Sequence, residues 1–292
     1  MRVVVLGADG QVGHELVAVL RLFADVIPAV RAVCDLADGN AVARLLAASR
    51  PNVVVNAAAY SHVDAAEADE DRAAEVNARA VGMLGELALA QRFGLVHFST
   101  DFVFDGTKGT AYREDDEPRP LSAYGRTKLA GEQLLRDLEA PAIVLRTAWV
   151  YSTRRKSFVS TILRLARLQE QLSVVVDRCG NPTFSRDLAE SVALMLRGMA
   201  PPAFEKMRDA RGVYHLAGAG LCSRYDLAVS ALALDPMRSQ HVVREVIPVG
   251  TSEFPETAPR PRAVDLDCAK AHHAFGIRLP PWRDSLARAL DR

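Results

Sequence analysis

The chain has 292 residues with 36 basic and 36 acidic side chains, so its net charge of zero predicts neither nucleic acid nor an anionic membrane as partner. Apolar residues make up 49% and charged residues 25%, which is typical of a globular protein with a large core. No apolar run is long enough to span a bilayer, and four scattered cysteines without a CxxC pair predict a reduced, cytoplasmic protein.

The first elements predict a nucleotide-binding unit. Arg2 to Leu6 is a short apolar run typical of a buried parallel strand, and a helical pattern covers Leu16 to Leu20. Between them, glycines spaced GxxGxxG permit a tight turn and let backbone N–H groups approach a pyrophosphate. A glycine-rich turn without a ligand is the alternative. The loop residues expected to contact a dinucleotide are Gly7, Gly10, Gln11, Val12 and Gly13.

The end of the second predicted strand, Asp25 to Val30, indicates which cofactor binds. An acidic residue at this place binds the ribose 2′-hydroxyl of NAD, but here the position holds Arg31. Because a guanidinium suits a 2′-phosphate, we predict NADPH, with NADH and a merely solvated Arg31 as the alternatives. Asp35 and Leu36 follow where this class of protein contacts adenine.

Two further strands end in residues suited to a ligand site. After a helix at 41–49, the third strand, Val53 to Asn56, runs into the alanines Ala57, Ala58 and Ala59, which leave room for a cofactor. A long helix is predicted from Asp69 to Gln91. The fourth strand, Leu95 to Phe98, leads into Ser99-Thr100-Asp101 at the edge where open α/β sheets bind ligands.

A helix after the loop at 105–120 brings Tyr124 and Lys128 onto one face, because they stand four residues apart. A neighbouring ammonium favours a phenolate, so we predict that the pKa of Tyr124 lies below the value of about 10 for free tyrosine. Such a phenol is a candidate proton donor.

The alternation of strands and helices predicts an α/β fold with a right-handed, doubly wound parallel sheet of the Rossmann type. It covers residues 1–150, and 172–216 are expected to return to it. Residues 151–292 are expected to form mainly a smaller substrate-binding domain. For the second half we predict helices at 157–168, 187–197, 223–234 and 282–290, strands at 172–176 and 213–216, and loops at 201–212 and 248–261.

Together these motifs resemble the dTDP-4-dehydrorhamnose reductase family of the extended short-chain dehydrogenase/reductase superfamily, nearly end to end. The GxxGxxG spacing is typical of that superfamily. The resemblance implies NAD(P)H-dependent reduction of the 4-keto group of a nucleotide-activated 6-deoxysugar, in this family dTDP-4-dehydro-L-rhamnose. The segments that carry the resemblance are Gly10–Gly13, Val55–Tyr60, Val63–Glu67, Ser99–Gly106, Tyr124–Glu132, Arg146–Tyr151, Gly180–Thr183 and Ala258–Pro261.

The resemblance also implies roles for single residues. Tyr124 would be the general acid, Lys128 would lower its pKa and hold the cofactor ribose, and Thr100 would orient the ketone oxygen. Each role has a plainer alternative. The Thr100 hydroxyl would only bond to the backbone, Trp149 would be an ordinary core residue, and Arg260 would be a solvated loop residue. The residues expected to contact the substrate are Tyr60, Val63, Asp64, Thr100, Asp101, Trp149 and Arg260.

The sequence departs from the family pattern at several positions. Phe102 and Val264 stand where the family often has Tyr and Ser. Some members bind Mg²⁺ through glutamates at a dimer interface; Glu15 matches one of these, but the second falls near Arg186, which is no metal ligand. We therefore predict no metal site, and a homodimer as the assembly.

Several alternatives share the fold. A reductase of another nucleotide 4-keto-deoxysugar fits nearly as well, and a sugar epimerase with tightly held NAD stays open. A nucleotide-sugar 4,6-dehydratase needs a glutamate where Phe102 stands. The regulatory subunit of methionine adenosyltransferase binds NADP without turnover, but the intact Thr100, Tyr124 and Lys128 favour an enzyme.

Overall fold

The computed structural model describes residues 1–199, 202–254 and 256–291. The strands in these ranges are β1 (Arg2–Leu6), β2 (Asp25–Ala29), β3 (Val53–Asn56), β4 (Gly94–Thr100), β5 (Ala142–Thr147), β6 (Val150–Tyr151), β7 (Gln171–Val175), β8 (Cys179–Gly180), β9 (Thr183–Phe184), β10 (Gly212–His215), β11 (Cys222–Ser223) and β12 (Glu245–Val249).

The α-helices in the same ranges are α1 (Gln11–Leu20), α2 (Gly39–Ser49), α3 (Val63–Ala68), α4 (Glu70–Ala74), α5 (Ala80–Gln91), α6 (Ala123–Asp137), α7 (Phe158–Ala166), α8 (Ser185–Gly198), α9 (Ala203–Asp209), α10 (Arg224–Leu234), α11 (Ala269–Phe275) and α12 (Trp282–Leu290). A π-helical turn covers Glu75–Arg79, and 3₁₀ turns cover Asp101–Val103, Arg238–Gln240 and Thr251–Glu253. None of the helices in the described part of the chain has the length and apolar character that crossing a membrane requires.

Six strands form one parallel sheet in the order β10-β5-β4-β3-β1-β2. Both β3 and β5 are buried along their whole length, as their continuous apolar runs predict. Leu6 pairs with Asn56, and Asn56 pairs with His97, so the carboxyl ends of β1, β3 and β4 lie side by side. This edge is where the predicted site residues meet.

Helices cover both faces of the sheet, which confirms the predicted doubly wound α/β fold. On one face, α1 and α8 bury Leu16, Leu20 and Leu188 against β1, β3 and β5. On the other face, α2, α5 and α6 bury side chains such as Leu46, Leu84 and Leu135. Burial of these apolar faces on both sides accounts for the continuous hydrophobic strands.

The predicted long helix from Asp69 to Gln91 is divided into α4, the π-helical turn and α5. The turn carries Asn77, which is 1% exposed. Its Oδ1 accepts the N–H of Tyr60 at 2.9 Å, and its Nδ2 donates to the Tyr60 carbonyl at 3.1 Å and to the Thr127 hydroxyl at 3.2 Å. The turn thereby ties the end of β3 to α6, a contact between distant segments that helical periodicity does not reveal.

In the second half, two predicted loops contain regular structure, and the short strands β6, β8, β9 and β11 were not predicted. Helix α9 lies where a loop was predicted, because Phe204 and Met207 pack inward; Pro201, where that predicted loop begins, lies outside the described residues. Strand β12 pairs in parallel with β7, and Pro248 within it obscured the strand pattern. Pro255, in the predicted loop that follows, also lies outside the described residues.

Other predicted elements of the second half are present. Helix α12 has its predicted bounds, and α10 begins with the predicted capping box, in which Ser223 and Asp226 exchange hydrogen bonds at 3.0 Å. Of the segment 172–216, β10 joins the central sheet and α8 packs on α1, while β7 lies with β12. The division of the chain near residue 150 stays a prediction.

Candidate active site

Two adjoining cavities lie at the carboxyl edge of the sheet. The first, about 530 Å³, lies over the β1–α1 loop and the ends of β2 and β3. The second, about 760 Å³, extends from β4 toward residues 256–264. The side chains that line both cavities are those of Gln11, Ser61, Ser99, Tyr124, Thr147 and Val150. A ligand in one cavity therefore reaches a ligand in the other beside Tyr124.

The glycine loop closes tightly on the sheet at the first cavity. Gly7 has φ +73°, and a Cβ there would lie 2.7 Å from the backbone nitrogen of Ala58. A Cβ on Gly13 would lie 2.0 Å from the carbonyl oxygen of Gly7. Helix α1 starts at Gln11 directly behind this turn, so its free N–H groups face the cavity.

The structure places the predicted cofactor residues together. Gly13 lies behind the loop, where it permits the turn. The others line the first cavity: Gly7, Gly10, Gln11, Val12, Arg31, Asp35, Leu36, Ala57, Ala58, Ala59, Tyr124 and Lys128.

Arg31 lies at the rim of the first cavity, with 71% of its side chain exposed. Its Nε is 3.4 Å from the Asp35 carboxylate, which Arg72 also approaches at 3.6 Å. The pKa of Asp35 is lowered, first by the N–H of Ala37 and then by the two guanidinium groups. The exposed side chain of Arg31 has room to turn toward a phosphate at the rim.

Tyr124 and Lys128 lie on the first turns of α6, which Ser122 caps by accepting the Gly125 N–H at 3.2 Å. Burial raises the pKa of Tyr124 to about 12, and the Asp101 carboxylate acts in the same direction while Thr100 opposes it. The predicted lowering is therefore wrong for this structure. The reason is that Nζ of Lys128 turns inward, donates to the Phe98 carbonyl at 2.6 Å and lies 3.1 Å from Nε2 of His97.

Thr100 and Asp101 stand at the entrance from β4 to the second cavity. The Thr100 hydroxyl donates to the Asp101 carboxylate at 3.1 Å and accepts the N–H of Phe102 at 3.2 Å. Burial raises the pKa of Asp101 to about 6, against the opposing effects of Thr100 and Arg224. Phe102 packs edge-on against Tyr124, with ring centres 5.6 Å apart.

Cationic side chains surround the far part of the second cavity. The Arg224 guanidinium lies 3.6 Å from the ring centre of Trp149, so it covers one face of the indole. Arg260 contacts Asp64 at 2.7 Å and Glu256 at 3.1 Å. Arg178 forms an ion pair with the same Glu256. The cavity thus holds three guanidinium groups whose present partners are carboxylates and the rings of Trp149 and Phe158.

The predicted substrate residues are divided between the cavities. Tyr60 lines the first, and the second is lined by Val63, Asp64, Thr100, Asp101, Trp149 and Arg260. The departures Phe102 and Val264 also line the second cavity. Sequence reasoning missed Arg178, Arg224 and Glu256, which belong to no motif. The sequence places Arg224 at the start of a helix, directly after the capping Ser223. That position does not reveal the direction of the Arg224 side chain.

Two buried polar atoms indicate that this site accommodates a ligand. Among the described residues, eight buried side-chain N or O atoms have no hydrogen-bond partner, and two of them, Oε1 of Gln11 and Oγ1 of Thr147, belong to residues that line both cavities. Leaving such atoms unpaired costs free energy, so a polar ligand is expected between them. Together with the glycine cradle, these atoms fit a nicotinamide dinucleotide.

The position of Glu15 does not fit a metal ion. Arg186 approaches its carboxylate at 3.3 Å and Arg154 at 3.8 Å, so two cations already lie where a divalent ion would bind. In the described ranges no cluster of three or more His, Cys, Asp or Glu side chains could hold a metal ion.

Comparisons with known proteins agree with this arrangement. The family model of the RmlD substrate binding domain matches residues 1–292. A dTDP-4-dehydrorhamnose reductase of Burkholderia thailandensis is 40% identical over 292 residues, which cover 97% of this chain and 96% of the relative. The crystal structure of a dTDP-4-dehydrorhamnose reductase from Clostridium acetobutylicum has a TM-score of 0.90 at 34% identity and covers 100% of this chain and 99% of that one. Its counterpart from Bacillus anthracis, in complex with NADP, has a TM-score of 0.88 at 30% identity, covering 99% and 98%.

Proposed function

Because the chain belongs to the dTDP-4-dehydrorhamnose reductase family, we propose that it reduces the 4-keto group of dTDP-4-dehydro-L-rhamnose, with NADPH as the preferred cofactor. The observation that carries the proposal is the meeting of two cavities at Tyr124, with the unpaired oxygens of Gln11 and Thr147 beside it. A dinucleotide in the first cavity and a nucleotide sugar in the second would bring their reacting ends together there.

The first cavity holds the cofactor. The glycine loop and the N-terminus of α1 would hold its pyrophosphate, and Arg31 at the rim would bind the 2′-phosphate. When bound, the reduced nicotinamide supplies the hydride that adds to C4 of the sugar. Ala57, Ala58 and Ala59 leave the space that a planar ring system needs.

Tyr124 donates the proton that the ketone oxygen requires as it becomes an alkoxide. Its raised pKa keeps the phenol protonated at neutral pH, and an alkoxide is a stronger base than a phenolate, so the transfer is downhill. The Thr100 hydroxyl lies close enough to influence the pKa of Tyr124 and orients the same oxygen.

The second cavity holds the nucleotide sugar. Arg178, Arg224 and Arg260 supply the positive charge that a diphosphate needs, since a guanidinium fork matches phosphate oxygens. Asp64 and Glu256, the carboxylate partners of Arg178 and Arg260 here, give way when the diphosphate binds. The indole of Trp149 provides an apolar contact for the sugar or the base.

A nicotinamide absorbance assay with dTDP-4-dehydro-L-rhamnose tests the proposal, with NADPH and NADH compared and the product identified. Oxidation of the cofactor with dTDP-L-rhamnose as product is expected, and the Tyr124→Phe variant serves as the inactive control. Tight NADPH binding without oxidation would contradict the substrate assignment and favour another 4-keto sugar or a regulatory subunit. A protein that carries bound NAD and consumes no external cofactor would indicate an epimerase.

Assembly as a homodimer and a cytoplasmic location are further parts of the proposal. The ion pair between Glu15 and Arg186 means that a dimer would form without a bridging metal. Light scattering with and without a chelator tests this: the same dimeric mass is expected in both, whereas a monomer, or a dimer lost on chelation, would contradict it.

A further inference from the structure

Lys128 is in contact with a buried histidine, His97, which has no role in the proposed mechanism. Lys128 is 1% exposed and His97 is fully buried, and Nζ of the lysine lies 3.1 Å from Nε2 of the imidazole. On its other side, Nδ1 of His97 lies 3.1 Å from Nδ2 of Asn56, also fully buried. The three side chains form a line from β3 through β4 to α6.

The Asn56 amide determines where the imidazole carries its proton. Oδ1 of Asn56 accepts the N–H of Ala58 at 3.1 Å, so its Nδ2 must face His97. An amide NH₂ group is a donor only, and Nδ1 of His97 must therefore be an unprotonated acceptor. A neutral imidazole then carries its proton on Nε2, the nitrogen that faces Lys128.

This arrangement matches a neutral lysine and opposes a charged one. An ammonium group has three donors and no acceptor, so its N–H would point at the Nε2–H of His97. A neutral amine has a lone pair that accepts from Nε2–H, and it still donates to the Phe98 carbonyl at 2.6 Å. Burial lowers the pKa of Lys128 to about 8, so the neutral amine predominates above that pH and the ammonium below it, while burial with the neighbouring lysine holds the pKa of His97 well below its usual range.

We propose that His97 is a positioning residue for Lys128: oriented by Asn56, it holds the lysine inward as a neutral amine and turns it toward the first cavity when the lysine becomes charged. Lys128 lines that cavity, so in the outward position it would face the ribose of a bound cofactor. The inference concerns the site of the proposed function and deepens it, but its tests use no sugar and no turnover.

The other ionisable groups around this pair come from two elements. Tyr124 and Glu132 lie one turn to either side of Lys128 on α6. The Glu132 carboxylate is bound by Arg146 of β5 at 2.7 Å and accepts from the Ser99 hydroxyl, so it is engaged elsewhere. Glu132 raises the pKa of Lys128 and so works against the effect of burial.

The first test measures the protein with Asn56, His97 and Lys128 unchanged and uses a variant only to assign the signal. Nitrogen-15 NMR of histidine-labelled protein without ligands reports which ring nitrogen carries the proton, and the His97→Phe variant identifies the resonance. We expect Nε2 of His97 to be protonated and Nδ1 to be bare from about pH 6 to pH 10. A proton on Nδ1, or a charged imidazole, would overturn the proposal.

The second test reverses the proton arrangement. Asn56→Asp keeps an acceptor for the Ala58 N–H but accepts from Nδ1–H of His97, which leaves Nε2 free to accept from a lysine ammonium. We expect the pH at which NADP⁺ binding weakens, measured by calorimetry, to rise by about one unit. The matched control is the same substitution in a His97→Phe background, where the shift should be largely lost. An equal shift without His97 would mean that only the added charge acts, and would refute the role of the imidazole.

The outcomes separate this inference from the proposed function. If NMR finds the proton on Nδ1 of His97 while the sugar is reduced, the His97 inference is wrong and the reductase assignment stands. If the sugar is not reduced but the tautomer and the pH shift are as expected, the assignment fails and the positioning of Lys128 stands.

Discussion

Gly13 and Gly7 are in contact in a way that leaves no room for a side chain between them. A Cβ on Gly13 would lie 2.0 Å from the carbonyl oxygen of Gly7, and Gly7 itself has φ +73°. The first turn of α1 therefore packs directly on the backbone that follows β1, with no space for a side chain at Gly13. This contact determines the shape of the first cavity and hence the position of any pyrophosphate bound there.

Gly13→Ala is expected to weaken NADPH binding by at least about tenfold, because relief of the overlap must displace the β1–α1 loop. Calorimetry measures the affinity, and circular dichroism verifies that the variant is folded. Gly198→Ala is the matched control, since a Cβ at that helical glycine meets nothing within 4 Å. Unchanged affinity in a folded Gly13→Ala protein would show that the loop does not hold the cofactor.

Tyr124→Phe is expected to lower turnover by about 10²- to 10⁴-fold with little loss of NADPH affinity, because only the proton donor is removed. Steady-state kinetics and calorimetry measure the two effects. Tyr112→Phe makes the same chemical change at a tyrosine whose hydroxyl donates to Asp105 at 2.9 Å, and should preserve turnover. If the two variants turn over alike, Tyr124 is not the acid.

Arg31→Ser is expected to reduce kcat/KM for NADPH by about ten- to a hundredfold and to change that for NADH little, because a charge-assisted contact to the 2′-phosphate is lost. Arg21→Ser, at an exposed arginine beyond α1, is the control and should leave both values unchanged. A parent protein that already prefers NADH would refute the cofactor assignment.

Asp101→Asn is expected to stabilise the protein at pH 7. Burial raises the pKa of Asp101 from 3.8 to about 6, so the folded state binds its proton more tightly than the unfolded chain. The free energy of unfolding consequently falls as the pH rises between these values, by about 3 kcal/mol in total. Asparagine removes this dependence on pH. Urea unfolding should therefore show a higher free energy of unfolding for the variant than for the parent protein at pH 7, and no difference near pH 4.

The control for this prediction is Asp209→Asn, at a side chain that is 76% exposed; it should alter the free energy of unfolding little at either pH. A loss of stability in Asp101→Asn at pH 7 would mean that attraction from Arg224 outweighs the cost of burying the carboxylate.

Glu132→Gln is expected to destabilise the protein by about 3–5 kcal/mol, because it leaves the guanidinium of Arg146 buried without a counter-charge. Both side chains are at most 4% exposed and lie 2.7 Å apart. Urea unfolding measures the change. Glu170→Gln breaks an exposed pair with Arg244 and should change stability far less. Equal losses of stability in the two variants would show that the buried pair stabilises the protein no more than the exposed pair does.

Much of the fold follows from local sequence because its causes are local. The apolar run of β1, the glycine spacing after it and the Ser223–Asp226 capping box each act within a few residues, and the structure confirms them. The failures are also physical. Helix α9 is held by Phe204 and Met207 packing inward, and β12 by pairing with β7 across some seventy residues of chain, which no local pattern records.

The fold class, the glycine loop and the placing of Tyr124 and Lys128 on one helical face could be predicted from the amino-acid sequence, because backbone sterics and side-chain periodicity act over a few residues. What that pair does depends on tertiary contacts. The inward turn of Lys128 depends on His97, 31 residues away, and the raised pKa of Tyr124 depends on burial and on Asp101 from another segment. Arg178 and Arg224 could not be assigned to the site from the sequence for the same reason. The residues that surround them in the second cavity come from distant parts of the chain.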